Sequence, residues 1–200
     1  MAPNGCSNKL VALVGVKSHQ FHRALDLAAL AVSKGSMAII GGPHPMTNDT
    51  QEQPGRGVSF SLAEAELIWR SVLEDAARGE LAPVYGAGER WQKELHSPAV
   101  TVTRESLRRY VVPMLGVYPA RGCPYTCSFC SVVKIAGHRI RSQSIETTLA
   151  TLRSAKAAGV NTIMFTSDNF NKYSEAPELL RAMIDEHLDL HLFVQCDSQV

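Results

Sequence analysis

The sequence predicts an α/β fold built as two successive units of parallel strands and covering helices. Three observations predict it. Apolar runs of strand length, such as residues 10–16 (LVALVGV), lack polar alternation, as expected of strands buried on both faces of a parallel sheet. These runs alternate with stretches of helical periodicity that stop at a glycine. Over about residues 82–111 both patterns lapse into Pro, Gly and charged residues, which marks a linker between units 1–81 and 112–200.

Each element has its own signal. After the strand at 10–16, residues 22–34 place Leu27, Ala28 and Ala31 on one helical face and end at Gly35. A second strand, 37–40, is cut short by Gly41-Gly42-Pro43-His44-Pro45, and 58–60 is a third. A helix over 64–78 repeats Ile68, Val72 and Ala76 at a spacing of four and stops at Gly79. The second unit opens with a strand at 114–118. Ser144 caps a helix over 145–158, a strand follows at 161–166, then a helix at 177–187 and a strand at 191–195. That run of βα pairs suits a barrel or half-barrel, whose functional residues gather at the carboxyl ends of the strands.

Composition narrows the function classes. With 200 residues and a net charge of +1, the chain can bury a proper core but has no basic footprint for nucleic acid. No apolar run is long enough to span a bilayer, and the opening MAPNGCSNK reads as no signal peptide, so a cytoplasmic location is expected. The 5 cysteines form an odd set, which makes a disulfide framework a poor fit.

Three of those cysteines carry the chemistry. Cys123, Cys127 and Cys130 stand in ARGCPYTCSFC, directly after a strand, with no fourth cysteine nearby. A structural zinc site would want four ligands, and the nearest histidine, His138, lies eight residues past Cys130, which is not a usual spacing. Three unrelated thiols are the other bland reading. Three thiolates on a [4Fe–4S] cube would leave one iron open to a small molecule. The C-x₃-C-x₂-C run resembles the radical S-adenosylmethionine (SAM) enzymes. The resemblance implies that the three cysteines ligate the cluster and the open iron chelates SAM, whose cleavage yields a 5′-deoxyadenosyl radical. It also implies a contact from Phe129 to the adenine. Asp168, past the strand at 161–166, would meet the SAM amine by a charge-assisted hydrogen bond. Gln195, with Asp197, is a candidate ribose or substrate contact, whereas Arg139 and Arg141 read as solvated by default. Cys6 reads as an unpaired thiol and Cys196 as a strand cysteine.

In the first unit, Gly41 and Gly42 just past a strand let a ligand approach the backbone closely. The run VGVKSHQFHRALDLAAL…MAIIGGPHP is similar to the cobalamin-binding domain that precedes many radical SAM domains, where the turn Gly41-Gly42-Pro43-His44 would lie along the macrocycle. The fold so implied is a partial Rossmann-like cobalamin-binding domain followed by a partial radical SAM half-barrel. The likeness is imperfect: the acidic segment reads Ala63-Glu64-Ala65-Glu66 without its glycines, and D-x-H-x-x-G is absent, so no histidine is assigned below the cobalt. With three barrel strands where the family has six, the chain reads as a fragment of a longer protein. The function implied is a SAM- and cobalamin-dependent methyltransferase, acting on an unactivated carbon or phosphorus, or a related rearrangement or cyclisation. Its partners would be a small-molecule or peptide substrate and a flavodoxin- or ferredoxin-type electron donor. The alternatives are a tRNA-modifying radical SAM enzyme with another amino-terminal domain and a non-enzymatic cobalamin sensor.

Overall fold

A computed structural model describes residues 9–47, 57–108 and 110–198, and divides the chain into two compact units, 1–92 and 93–200. The expectation for Cys6 lies outside the described residues.

The first unit is a four-stranded parallel sheet in the order β1-β2-β3-β4. Its strands are β1 (Leu10–Leu13), β2 (Met37–Gly41), β3 (Val58–Ser61) and β4 (Val84–Tyr85). The helices are α1 (Phe21–Ser33), the short α2 (Pro43–Thr47) and α3 (Ala65–Arg78). The central strands β2 and β3 are almost entirely buried; β2 is accordingly apolar throughout, whereas β3 alternates Val58 and Phe60 with the buried Ser59 and Ser61. One face packs Phe21, Ala24 and Ala28 of α1 against Ala38, Ile40, Val58 and Phe60. The other packs Ile68 and Val72 of α3 against Ile39 and Tyr85. The spacing of four in α3 therefore marks the buried stripe, and Gly79 ends it in the left-handed conformation.

The second unit holds a three-stranded parallel sheet in the order β5-β8-β9, of β5 (Met114–Val117), β8 (Thr162–Phe165) and β9 (His191–Val194). Between β5 and β8 come β6 (Ala120–Arg121), α5 (Val132–Ala136), β7 (Arg141–Ser142) and α6 (Ile145–Ala158); α4 (Arg104–Leu107) precedes β5 and α7 (Ala176–Asp185) precedes β9. Ser144 caps α6 as expected, accepting the Thr147 N–H at 3.1 Å. Period two in β8 sends Ile163 and Phe165 into a core with Leu149, Leu152, Leu179 and Met183. Leu152 is fully buried there, so Leu152→Ala is expected to cost this unit about 3 kcal/mol, read as an earlier urea midpoint.

Two expectations need correction, for the first strand and for Arg141, and the linker reading gains detail. The first strand ends at Leu13, because Gly15 turns the chain with φ +69° and leaves Val14 exposed. Residues 82–111, expected as a linker, carry structure of their own. Val84–Tyr85 pairs with β3, and Val102 enters the second core with its N–H on Ser154 Oγ at 2.8 Å. Two-residue strands are too short to show a period, which is why the sequence hid them. Arg141, read as solvated, is buried. Among the described residues no helix is long and apolar enough to cross a membrane.

Candidate functional site

The cysteine segment begins where β5 ends. β6 and β7 pair antiparallel, Ala120 opposite Ser142 and Arg121 opposite Arg141, and so close the loop that carries Cys123, Cys127 and Cys130. At the base, the Cys123 N–H donates to Gly137 O at 3.2 Å and the buried Arg141 donates from Nη2 to Ala136 O at 2.7 Å. Gly122 holds φ +105°, and a Cβ there would lie 2.3 Å from Arg139 O. Only glycine fits. Farther out, the Cys130 N–H bonds Cys127 O at 3.0 Å, which turns the chain back on itself.

All three thiols are free; Cys127 is exposed and the other two are half-buried. Phe129 is 91% exposed, an aromatic face that no packing requirement explains. Among the described residues no three His, Cys, Asp or Glu side chains are gathered into a group that could hold a metal ion, so the sulfurs stand apart in this structure. The donor set nevertheless fits an iron–sulfur cluster. It consists of unpaired soft ligands within eight residues, on a loop pinned at both ends with an outward-facing middle.

The segment after β8 lies along the segment after β5. The Thr166 N–H donates to Val117 O at 2.9 Å, Ser167 Oγ accepts the Ala120 N–H at 3.1 Å, and Asp168 Oδ2 accepts the Gly122 N–H at 2.8 Å. Burial raises the Asp168 carboxyl above its ordinary value, opposed by the Gly122 N–H and by the charges of Arg141 and Arg121. The next strand continues the pattern. Gln195 O accepts the Phe170 N–H at 2.8 Å while the Gln195 residue itself is exposed. Buried Asn169 donates from Nδ2 to Asp197 Oδ2 at 2.7 Å and lies 4.0 Å from Cys123 Sγ. Sequence reasoning reads Gly122 only as permitting a tight turn and gives Ser167 and Asn169 no role. The short polar run Ser167-Asp168-Asn169 at a strand end is the signal that could have found two of them.

In the first unit the turn Gly41-Gly42-Pro43-His44 is stitched to the loop after β1. The Val16 N–H donates to Gly41 O at 3.0 Å and the His44 N–H to Val16 O at 2.9 Å. His44 Nδ1 stands 3.0 Å from Ser18 Oγ, with its ring 4.0 Å from that of Phe21. Gly42 has φ +132°, and a Cβ on it would meet Val16 N at 2.3 Å; one on Gly41 would meet Ser61 Cβ at 3.2 Å. The missing side chains make room for the protein's own backbone and for Ser61. They do not by themselves open space for a ligand.

Residues 117–200 match the radical SAM superfamily. Two curated relatives come from Chlorobaculum tepidum. The bacteriochlorophyllide d C-12(1)-methyltransferase is 28% identical, covering 76% of this chain and 33% of that protein. The C-8(2)-methyltransferase is 26% identical, covering 66% of this chain and 30% of that protein. The chain thus spans about a third of the length of these relatives. Two solved structures of the radical SAM methyltransferase TsrM from Kitasatospora setae share the fold at 16% identity. The one with tryptophan and a SAM analogue gives a TM-score of 0.71, covering 95% of this chain and 44% of that one. The one with cobalamin and a [4Fe–4S] cluster gives 0.69, covering 94% and 44%. The match to the radical SAM superfamily thus falls on the unit that carries the pinned cysteine loop.

Proposed function

We propose that this chain is part of a radical SAM methyltransferase that uses cobalamin. The observation that carries the reading is the set of three free thiols, Cys123, Cys127 and Cys130, on the loop closed by β6 and β7 inside the segment that matches the radical SAM superfamily. These residues would hold a [4Fe–4S] cluster, and Phe129 would offer its exposed ring to the adenine of SAM. When bound, the cluster supplies the electron that splits SAM, and cobalamin carries a methyl group. Gly41, Gly42, Pro43 and His44 form the rigid turn at the carboxyl end of β2 on which cobalamin would rest. Its rigidity comes from the Val16 and His44 backbone bonds, so the surface is set before a ligand arrives. Gln195, exposed past β9, is available to SAM or substrate. The substrate class is a small molecule, as tryptophan is for TsrM, and the electron comes from a flavodoxin- or ferredoxin-type donor in a reducing cytoplasm.

The test is anaerobic reconstitution of the chain, followed by hydroxocobalamin titration and gel filtration. About four irons per chain, with a broad charge-transfer band, and co-elution of cobalamin are expected. Stoichiometric zinc without iron uptake would overturn the cluster reading, and passage of the protein free of cobalamin would overturn the role of the first unit.

A further inference from the structure

The segment after β8 places three successive residues on three points of the segment after β5. Thr166 takes Val117, Ser167 takes Ala120 and Asp168 takes Gly122. The third of these contacts stands directly before a cysteine. Gly122 has no freedom of its own, because Arg139 O fills the place of a side chain and φ is +105°. Its N–H therefore points one way, at the Asp168 carboxylate 2.8 Å off. On the opposite strand of the closure, Arg141 holds Ala136 O, so the loop is gripped at entry and at exit.

We propose that Asp168 is a positioning residue for the cysteine loop: its carboxylate fixes the peptide that leads into Cys123, and it acts through that loop and not as the anionic contact of a bound ligand. The inference rests on the reading of the loop as a cluster site, and it reassigns the residue expected to meet the SAM amine. Its burial supports the reassignment. Keeping a carboxylate half out of water is costly, and the cost is offset where the group accepts a backbone N–H, as Asp168 does from Gly122.

Two substitutions separate the alternatives. Asp168→Asn keeps an oxygen that can accept the Gly122 N–H but loses the charge; Asp168→Ala loses both. Amide hydrogen exchange over residues 119–127 is measured on the iron-free chains, and iron release to a ferrous chelator on the reconstituted ones. Asp168→Ala is expected to exchange and to release iron about tenfold faster than the parent, whereas Asp168→Asn follows the parent in both. An Asp168→Ala chain that fails to fold while Asp168→Asn matches the parent supports the positioning role as well. Unchanged exchange in Asp168→Ala overturns the proposal. So does an Asp168→Asn chain that keeps its iron but loses affinity for SAM by equilibrium dialysis, since a charged ligand contact predicts that pattern. If the parent takes up no iron, the cluster reading fails on its own, and the exchange data on the iron-free chains still decide what Asp168 does.

Discussion

Cys127→Ala is expected to abolish iron uptake, from about four irons per chain to none, while the far-ultraviolet circular dichroism stays that of the parent. The side chain makes this a clean experiment. Cys127 is exposed on the outward-facing part of the loop, so removing its sulfur takes nothing from the core. Loss of iron then reports ligation and not unfolding. Cys196→Ala is the control, because that thiol is equally exposed yet lies past β9, outside the loop. The visible absorption of the reconstituted protein should vanish in the first variant and persist in the second. Retention of full iron by Cys127→Ala would remove the basis for a three-thiolate site.

Gly42→Ala is expected to destabilise the first unit by about 3 kcal/mol or more, through strain at a positive φ and overpacking together. The new methyl would sit 2.3 Å from Val16 N and 2.6 Å from Gly15 C, both backbone atoms that no rotamer change can move. Gly15→Ala provides the comparison. Its φ is +69° but nothing stands within 4 Å of the added carbon, so only the cost of about 1 kcal/mol for the backbone conformation remains. Limited proteolysis should cut the first unit of Gly42→Ala while leaving Gly15→Ala near the parent, with iron uptake by the second unit retained in both. Equal resistance of both variants would mean that the turn yields more easily than its backbone bonds suggest. Loss of cobalamin by a Gly42 variant therefore has two causes to separate, and only a variant that resists proteolysis can report on the ligand.

Local patterns were legible and long-range pairings were not. The helices α1, α3 and α6 announce themselves by apolar spacing and glycine stops, and each is found within a residue or so of its expected bounds. The cysteine loop was equally legible, because its chemistry sits in eight consecutive residues. The device that holds the loop was hidden. β6 and β7 are two residues each, separated by 19 positions, and carry no hydrophobic alternation of their own. Asp168 drew notice as a polar residue at a strand end, but its partner Gly122 lies 46 residues away, and no spacing rule connects the two. For Gly41 and Gly42 the sequence marked the right turn but not what fills the place of each missing side chain, which is Val16 and Gly15 at Gly42 and Ser61 at Gly41. A glycine shows that something approaches the backbone closely, not whether it is ligand or chain.

The order of strands also bears on how each unit is made. In the first unit spatial order equals chain order, so every strand can dock on its predecessor as soon as the intervening crossover is synthesised. Assembly there is a matter of successive additions, each with a short loop to close. The second unit works differently. β5 has no parallel partner until β8, and the peptide before Cys123 has no carboxylate until Asp168 leaves the ribosome. The three thiols are thus synthesised well before the residues that set their loop, and the nascent chain carries them in an unset state through the making of α6 and β8. On the proposed reading, in which these thiols hold a cluster and Asp168 sets their loop, iron delivered during translation would meet a looser and less selective set of sulfurs than iron delivered afterwards.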